Sequence, residues 1–233
     1  MELASAENDS NIPIRQIGET FEISAFGENG EGEVIWDKPI SVRVDSVQVA
    51  DDLQLIDQGD LPEEWKNAVG TDGKLVDNKI SYIKSGNGTN SLDEVIKTED
   101  TKQKLVYVTA TYTNNTDEEI DHLQYLGSLV LMEQENGEYH AYDPQLQSEE
   151  QYDRMIWDGV ARMAEMTYHS VSDDENGKNY IPSLKSGESI QVHMAWIVNE
   201  NDLKNMYLNL SGDGASVEIS ADMRKVGVVD IRQ

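Results

Sequence analysis

The 233-residue chain contains no cysteine. That excludes a disulfide framework, a cysteine nucleophile and any thiolate metal site. Basic residues are scarce: 18 Lys and Arg stand against 45 Asp and Glu, a formal net charge of −27. A surface of that sign repels phosphate backbones and anionic lipid headgroups, so nucleic acid is not expected as a partner. The plain reading of the acidity is solubility, and attraction of basic partners would need a local cluster. Long apolar runs are missing too, and no stretch approaches the ~20 residues of a membrane helix. The sequence has no Gly-x-Ser-x-Gly elbow, no phosphate-cradling Gly-Lys-Ser/Thr loop and no Gly-x-Gly-x-x-Gly. Nucleophilic and nucleotide chemistry are therefore disfavoured, and no enzyme is expected. The four histidines, His122, His140, His169 and His193, share no metal-ligand spacing, so neither a metal nor another cofactor is expected.

What is present is alternation. In Ile190, Val192, Met194, Trp196 and Val198 every second residue is apolar, the period of a half-buried antiparallel strand, with His193 on its outward face. Ser186-Gly187-Glu188 before it forms a turn. The same period runs from Leu105 to Tyr112, with Val106, Val108, Ala110 and Tyr112 on one side. Residues 17–23 read as a first strand, and 40–49 as a second with a phase slip that a β-bulge near Asp45-Ser46 would absorb. Residues 126–134 and 139–142 flank Asn136-Gly137, the chemistry of a tight hairpin. Met206-Tyr207-Leu208-Asn209-Leu210, Val217-Glu218-Ile219 and residues 226–231 add further strands. The predicted fold is mainly β: an Ig-like antiparallel sandwich of about nine strands. Residues 1–16 form a polar leader and 17–233 a single domain.

Two insertions, 51–104 and 144–183, interrupt the strand rhythm and carry short helical segments. Asp60-Leu61-Pro62-Glu63 resembles a helix start with Asp60 as N-cap. In the second insertion, Ser148 with Gln151 forms a capping-box pattern, and Tyr152, Met155, Ile156, Val160 and Met163 recur at helical spacing. The spacing predicts a helix over 149–166. Ser172-Asp173-Asp174-Glu175-Asn176-Gly177 looks like half of a calcium loop, but the EF-hand register puts serines at positions one and twelve, which leaves only an irregular calcium site open.

Four separated blocks resemble the extracellular Ig-like domains of unknown function found in lipoproteins and secreted proteins of Gram-positive bacteria, especially Clostridia. The blocks are Ile17-Gly18-Glu19; Val106-Tyr107-Val108 with Tyr112-Thr113-Asn114-Asn115; Leu184 with Gly187-Glu188; and Leu203-Lys204-Asn205 with Tyr207-Leu208. The resemblance implies a β-sandwich, an extracellular or cell-surface location and no established activity. It supplies no catalytic residues. The chain departs from the pattern in its two insertions and in lacking the lipid-bearing cysteine.

Two functions are expected from this reading. The first is a non-enzymatic interaction module that binds a protein or envelope component, with partner choice in the insertions. The second is a carbohydrate-recognising module, or a weak glycan-active protein, that uses Trp65 or Trp157 as a stacking platform beside Glu63, Glu64, Asp153 and Asp158. The competing reading of both rings is that they cap the core beneath the insertions. Trp196, in phase with Val192 and Met194, is core. The resemblance also makes a genetic prediction: the reading frame upstream of Met1 should encode a basic, then apolar, then small-residue-plus-cysteine segment. An in-frame stop directly upstream would oppose a lipid anchor.

Overall fold

The computed structural model describes residues 12–29, 31–32, 34–57, 59–163, 166–172, 179–212 and 218–233. The chain is mainly β, with several antiparallel sheets. Among the described residues there are fifteen strands, numbered in chain order, several of them only two to five residues long. The largest sheet has seven strands in the order β11 (Tyr168–His169), β13 (Ser189–Asn199), β6 (Gln103–Asn114), β3 (Val34–Ala50), β2 (Thr20–Asn29), β7 (Ile120–Gln124), β12 (Tyr180–Leu184). A five-stranded sheet follows the order β1 (Ile14–Arg15), β15 (Val228–Asp230), β14 (Met206–Asn209), β8 (Ser128–Glu135), β9 (Glu138–Tyr142). Its β1–β15 pair is parallel. A small sheet joins β10 (Arg154–Trp157), β4 (Asn78–Lys84) and β5 (Glu94–Thr101).

Alternation explains the main core. Val106, Val108 and Ala110 of β6, with Val192, Met194 and Trp196 of β13, point into one cluster that also receives Leu129 and Leu131 of β8, Met206 and Leu208 of β14 and Val229 of β15. The two larger sheets thus bury their apolar faces against each other, at roughly 1.5–3 kcal/mol per large side chain removed from water. The phase slip in β3 is a bulge: its register with β6 shifts between Val44 and Ser46, so Val42 and Val44 before it and Val47 and Val49 after it all reach this core. The β8–β9 hairpin turns at Asn136 (φ 53°) and Gly137 (φ 90°), the positive values that Asn-Gly accepts most readily.

Several expectations are corrected. No helix spans 149–166 among the described residues. Residues 154–157 form β10, with Met155 opposite Tyr82 and Trp157 opposite Ile80. The helical spacing coincided there with a strand period, and pairing with β4 decided between them. Asp60 does not cap a helix: a single 3-10 turn covers Glu63–Trp65, with Pro62 at its N-cap and no side-chain cap. Residues 1–11 of the expected leader lie outside the described residues; within its last five, Ile12 is 3% exposed, and Ile14 and Arg15 form β1. Ile17-Gly18-Glu19 is a turn entering β2 rather than part of it, with Gly18 at φ 87°. Val217 lies outside the described residues, and Glu218 and Ile219 are not in a strand. After them comes a helix the strand reading missed, α1 (Ala221–Val226), capped by Ser220 Oγ, which accepts from Met223 N. The half-calcium loop falls largely on residues 173–178, outside the described residues.

Asn114 closes one end of the large sheet. Its side chain is fully buried; Nδ2 donates to Glu118 O (2.8 Å) and Leu184 O (2.9 Å), and Oδ1 accepts from Thr116 N. Its backbone holds the turn before β13, with Gly187 N donating to Asn114 O and Asn114 N to Glu188 O. Replacing Asn114 with Ala removes the side-chain donor to the carbonyl of buried Leu184 and the acceptor of Thr116 N, at about 1–3 kcal/mol for a buried group left unpaired. At about 2–4 °C per kcal/mol for a chain this size, Asn114→Ala should lower Tm by several degrees in a thermal melt. An unchanged Tm would rule out a stabilising role for the staple.

Candidate functional site

The two insertions meet. The first supplies β4 and β5, the second supplies β10, and the β10–β4 ladder makes one sheet of them. The second insertion also reaches into the seven-stranded sheet through β11 and β12, so it belongs to the scaffold as well as to the surface.

Their tryptophans are structural. Trp65 is 0% exposed and fills a cluster with Leu53, Ile56 and Ala68 of its own insertion and with Leu105, Tyr107 and Ile197 of the large sheet. Trp157 is 9% exposed, packed with Ile80 and Ala161. Neither ring offers an open face to a sugar, which corrects the stacking-platform expectation: each fills apolar space between an insertion and the layer beneath it. The acids expected beside the rings remain at the surface, where Glu63 pairs with Lys66 and Asp153 pairs with Lys84.

A buried polar relay fixes both insertions to the end of β13. Gly159 N donates to Asn78 Oδ1 (2.6 Å), Asn78 Nδ2 to Asn199 Oδ1 (2.8 Å), and Asn199 Nδ2 to Asp202 Oδ2 (3.3 Å). Gln103 repeats the device, accepting from Val160 N (3.1 Å) and donating to Val76 O (2.8 Å). Position 159 requires glycine, because a Cβ there would lie 2.6 Å from Gln103 Oε1 and 2.8 Å from Asn78.

The insertions also line a groove of about 380 Å3, its walls formed by residues 59–63 of the first and by 167–170 and Ser172 of the second. Asp60 and Glu63 give it negative charge, and no Lys or Arg is among its lining residues. Tyr168, 5% exposed, stands against Tyr107 (6.3 Å between centroids), and Tyr107 stacks on His193 at 5.3 Å. His193 is half-buried and not simply outward-facing: Nδ1 lies 3.1 Å from Thr109 Oγ1, and its backbone N donates to Ser170 Oγ (2.8 Å). Burial lowers the His193 pKa below the usual histidine value, so the ring is neutral at pH 7. Burial likewise raises the Tyr168 pKa, with Tyr107, Asp60 and Asp57 adding to it. The groove therefore combines an acidic edge at Asp60 and Glu63 with a wall of Thr167, Tyr168, His169, Ser170 and Ser172, a setting for a cationic or hydrogen-bond-donating group. The sequence held its parts, in the acids around Pro62 and in Tyr168-His169, but no periodicity connects segments so far apart.

Among the described residues no group of three or more His, Asp or Glu is gathered closely enough to hold a metal. Among the same residues no helix is long and apolar enough to cross a membrane. Compared with protein-family models, curated proteins and solved structures, the chain matches none.

Asp202 makes the junction sensitive to pH. Burial pushes its pKa up to about 6, a nearby Asp143 reinforcing the shift and the Asn199 hydrogen bond and Lys204 opposing it. In the unfolded chain the carboxyl returns to 3.8. Between those values the folded state holds the extra proton, so this contribution to stability is present at low pH and is lost as pH rises through about 6. Allowing for solvent screening, the effect is on the order of 1 kcal/mol. Asp202→Asn should therefore melt about 2–4 °C above the wild type at pH 7.5, with the gap closing near pH 4. A gap independent of pH would contradict this role for the carboxyl.

Proposed function

We propose that the chain is a non-enzymatic interaction module, an Ig-like β-sandwich secreted or displayed at a cell surface, that binds a protein or envelope component. The observation that carries this reading is the convergence of the two insertions, which are far apart in sequence but line one groove and share one sheet. Binding residues concentrate on loops held by a rigid scaffold, and here the scaffold holds one groove segment through the Trp65 cluster and the other through β11 on β13. The cell-surface location rests on the sequence resemblance. The acidic edge at Asp60 and Glu63 favours a partner that presents Lys or Arg.

The test is retention of an envelope component on the immobilised protein. Asp60→Lys with Glu63→Lys reverses the groove at exposed positions and should leave the melting curve near that of the wild type. A remote control, Glu94→Lys with Glu138→Lys, makes the same change in net charge. The groove variant should lose at least about tenfold in affinity, or ~1.4 kcal/mol, while the control retains most of it. Equal retention by both variants would place binding elsewhere.

A further inference from the structure

A separate cavity of about 190 Å3, which shares no lining residue with the insertion groove, opens between β2, the end of β7 and the segment after it, the end of β14 and α1. Its wall is apolar, formed by Ile23, Phe26, Leu126, Leu210 and Val226. The polar part of the lining includes Ser24, Gln124, Ser211 and two charged residues of α1, Asp222 and Lys225. Asp222 and Lys225 are exposed, and among the described residues neither is in an ion pair. Elsewhere basic side chains commonly find an acid, as Lys84 does at Asp153, Lys97 at Glu99 and Arg232 at Asp230. At this cavity an acid and a base one helical turn apart both remain open to a ligand.

We infer that this cavity binds a small zwitterion with an apolar side chain, a free aliphatic amino acid. Size sets the first limit. A dry cavity of about 150 Å3 lined by Leu, Ile and Phe takes up benzene, so this one accommodates a branched chain of a few carbons and not a polymer. Charge sets the second. On a chain of net charge −27 a free anion is repelled at long range, whereas a zwitterion carries no net charge and meets an acceptor in Asp222 and a donor in Lys225. The apolar wall then takes the side chain, and Ser24 and Gln124 supply further polar contacts. This inference rests on none of the groove residues.

Methyl NMR of the intact chain tests it with three probes: L-leucine, 4-methylpentanoate, which lacks the ammonium group, and isoamylamine, which lacks the carboxylate. L-leucine should shift the methyls of Ile23, Leu126, Leu210 and Val226 in a saturable way at millimolar concentration. Lys225→Gln should weaken L-leucine and 4-methylpentanoate about fivefold and leave isoamylamine within about twofold, as expected when one exposed charge contact is lost. Asp222→Asn should do the converse. Both positions are exposed, so neither change threatens the fold, and Leu126→Trp, checked by its melt, should fill the cavity and abolish the shifts. Absence of saturable shifts with L-leucine up to about 10 mM would overturn the inference, as would equal effects of both charge variants on all three probes.

Discussion

From Gln103 to Tyr107 and from Ala195 to Asn199 the β6–β13 ladder has to be covered on both faces. Val106, Trp196 and Val198 point into the core shared with the five-stranded sheet, while Leu105, Tyr107, Ala195 and Ile197 point the other way. A strand with apolar residues on successive positions cannot leave either face to water, so a second layer is obligatory there. Residues 51–77 provide it, laying Leu53, Ile56, Trp65 and Leu75 over the outer face. Farther along the same ladder the outer face carries Thr109, Thr111, Gln191 and His193 and needs no cover. Asp45, at the bulge, accepts from Thr111 Oγ1 (2.6 Å), Gln191 and Arg43, which keeps that open half polar and ordered. The first insertion is thus a structural layer as much as a loop, and the second is bound to it through β10.

The shortage of basic side chains shapes the surface in the same direction. Many of them are spent on a local acid: Arg15 on Glu19, Arg154 on Asp93, and Lys104 between Asp51 and Glu200. Exposed pairs of this kind contribute little to stability, with a median near 0–1 kcal/mol, but each removes a cation from the long-range field. What remains is an excess of carboxylates, and the groove lining adds Asp60, and Glu63 in its pair with Lys66, with no Lys or Arg among the lining residues. Encounter with a basic partner is then steered by the whole molecule and weakens with ionic strength.

The parts of the fold legible in the sequence were those whose signal is local. The alternation in β6 and β13, the slip at Asp45-Ser46 and the Asn136-Gly137 turn each follow from a side-chain period of two or from a residue that tolerates positive φ. Residues 149–166 were misread because Met155 and Trp157 satisfy a strand period as well as a helical one, and the deciding partner, β4, lies some seventy residues earlier. The tryptophans were legible as large aromatics but not as buried ones: burial of Trp65 depends on Leu105 and Ile197, which its neighbours in sequence do not reveal. α1 was hidden by brevity, six residues identified mainly by the Ser220 cap and by Gly227 at φ 94°. The groove had no sequence signature, because its two walls, 59–63 and 167–172, lie about a hundred residues apart and meet only when β11 pairs with β13.

The groove lies where the covered half of the large sheet gives way to the open half. Tyr168 packs under the first insertion with Trp65, and through Tyr107 it connects to His193, which already belongs to the polar stretch with Thr109. A layer that ends part-way across a sheet leaves a step, and the step exposes the ends of loops held on both sides by packed strands. Loop residues in such a position are ordered before any partner arrives, so little entropy is lost when one binds. Here one loop is held by Trp65 in its cluster and the other by β11 on β13, with Tyr168 opposite Ala195 and His169 opposite Met194. The need to bury both faces of one end of β6 and β13 therefore accounts for the covering layer and also for the groove at its edge.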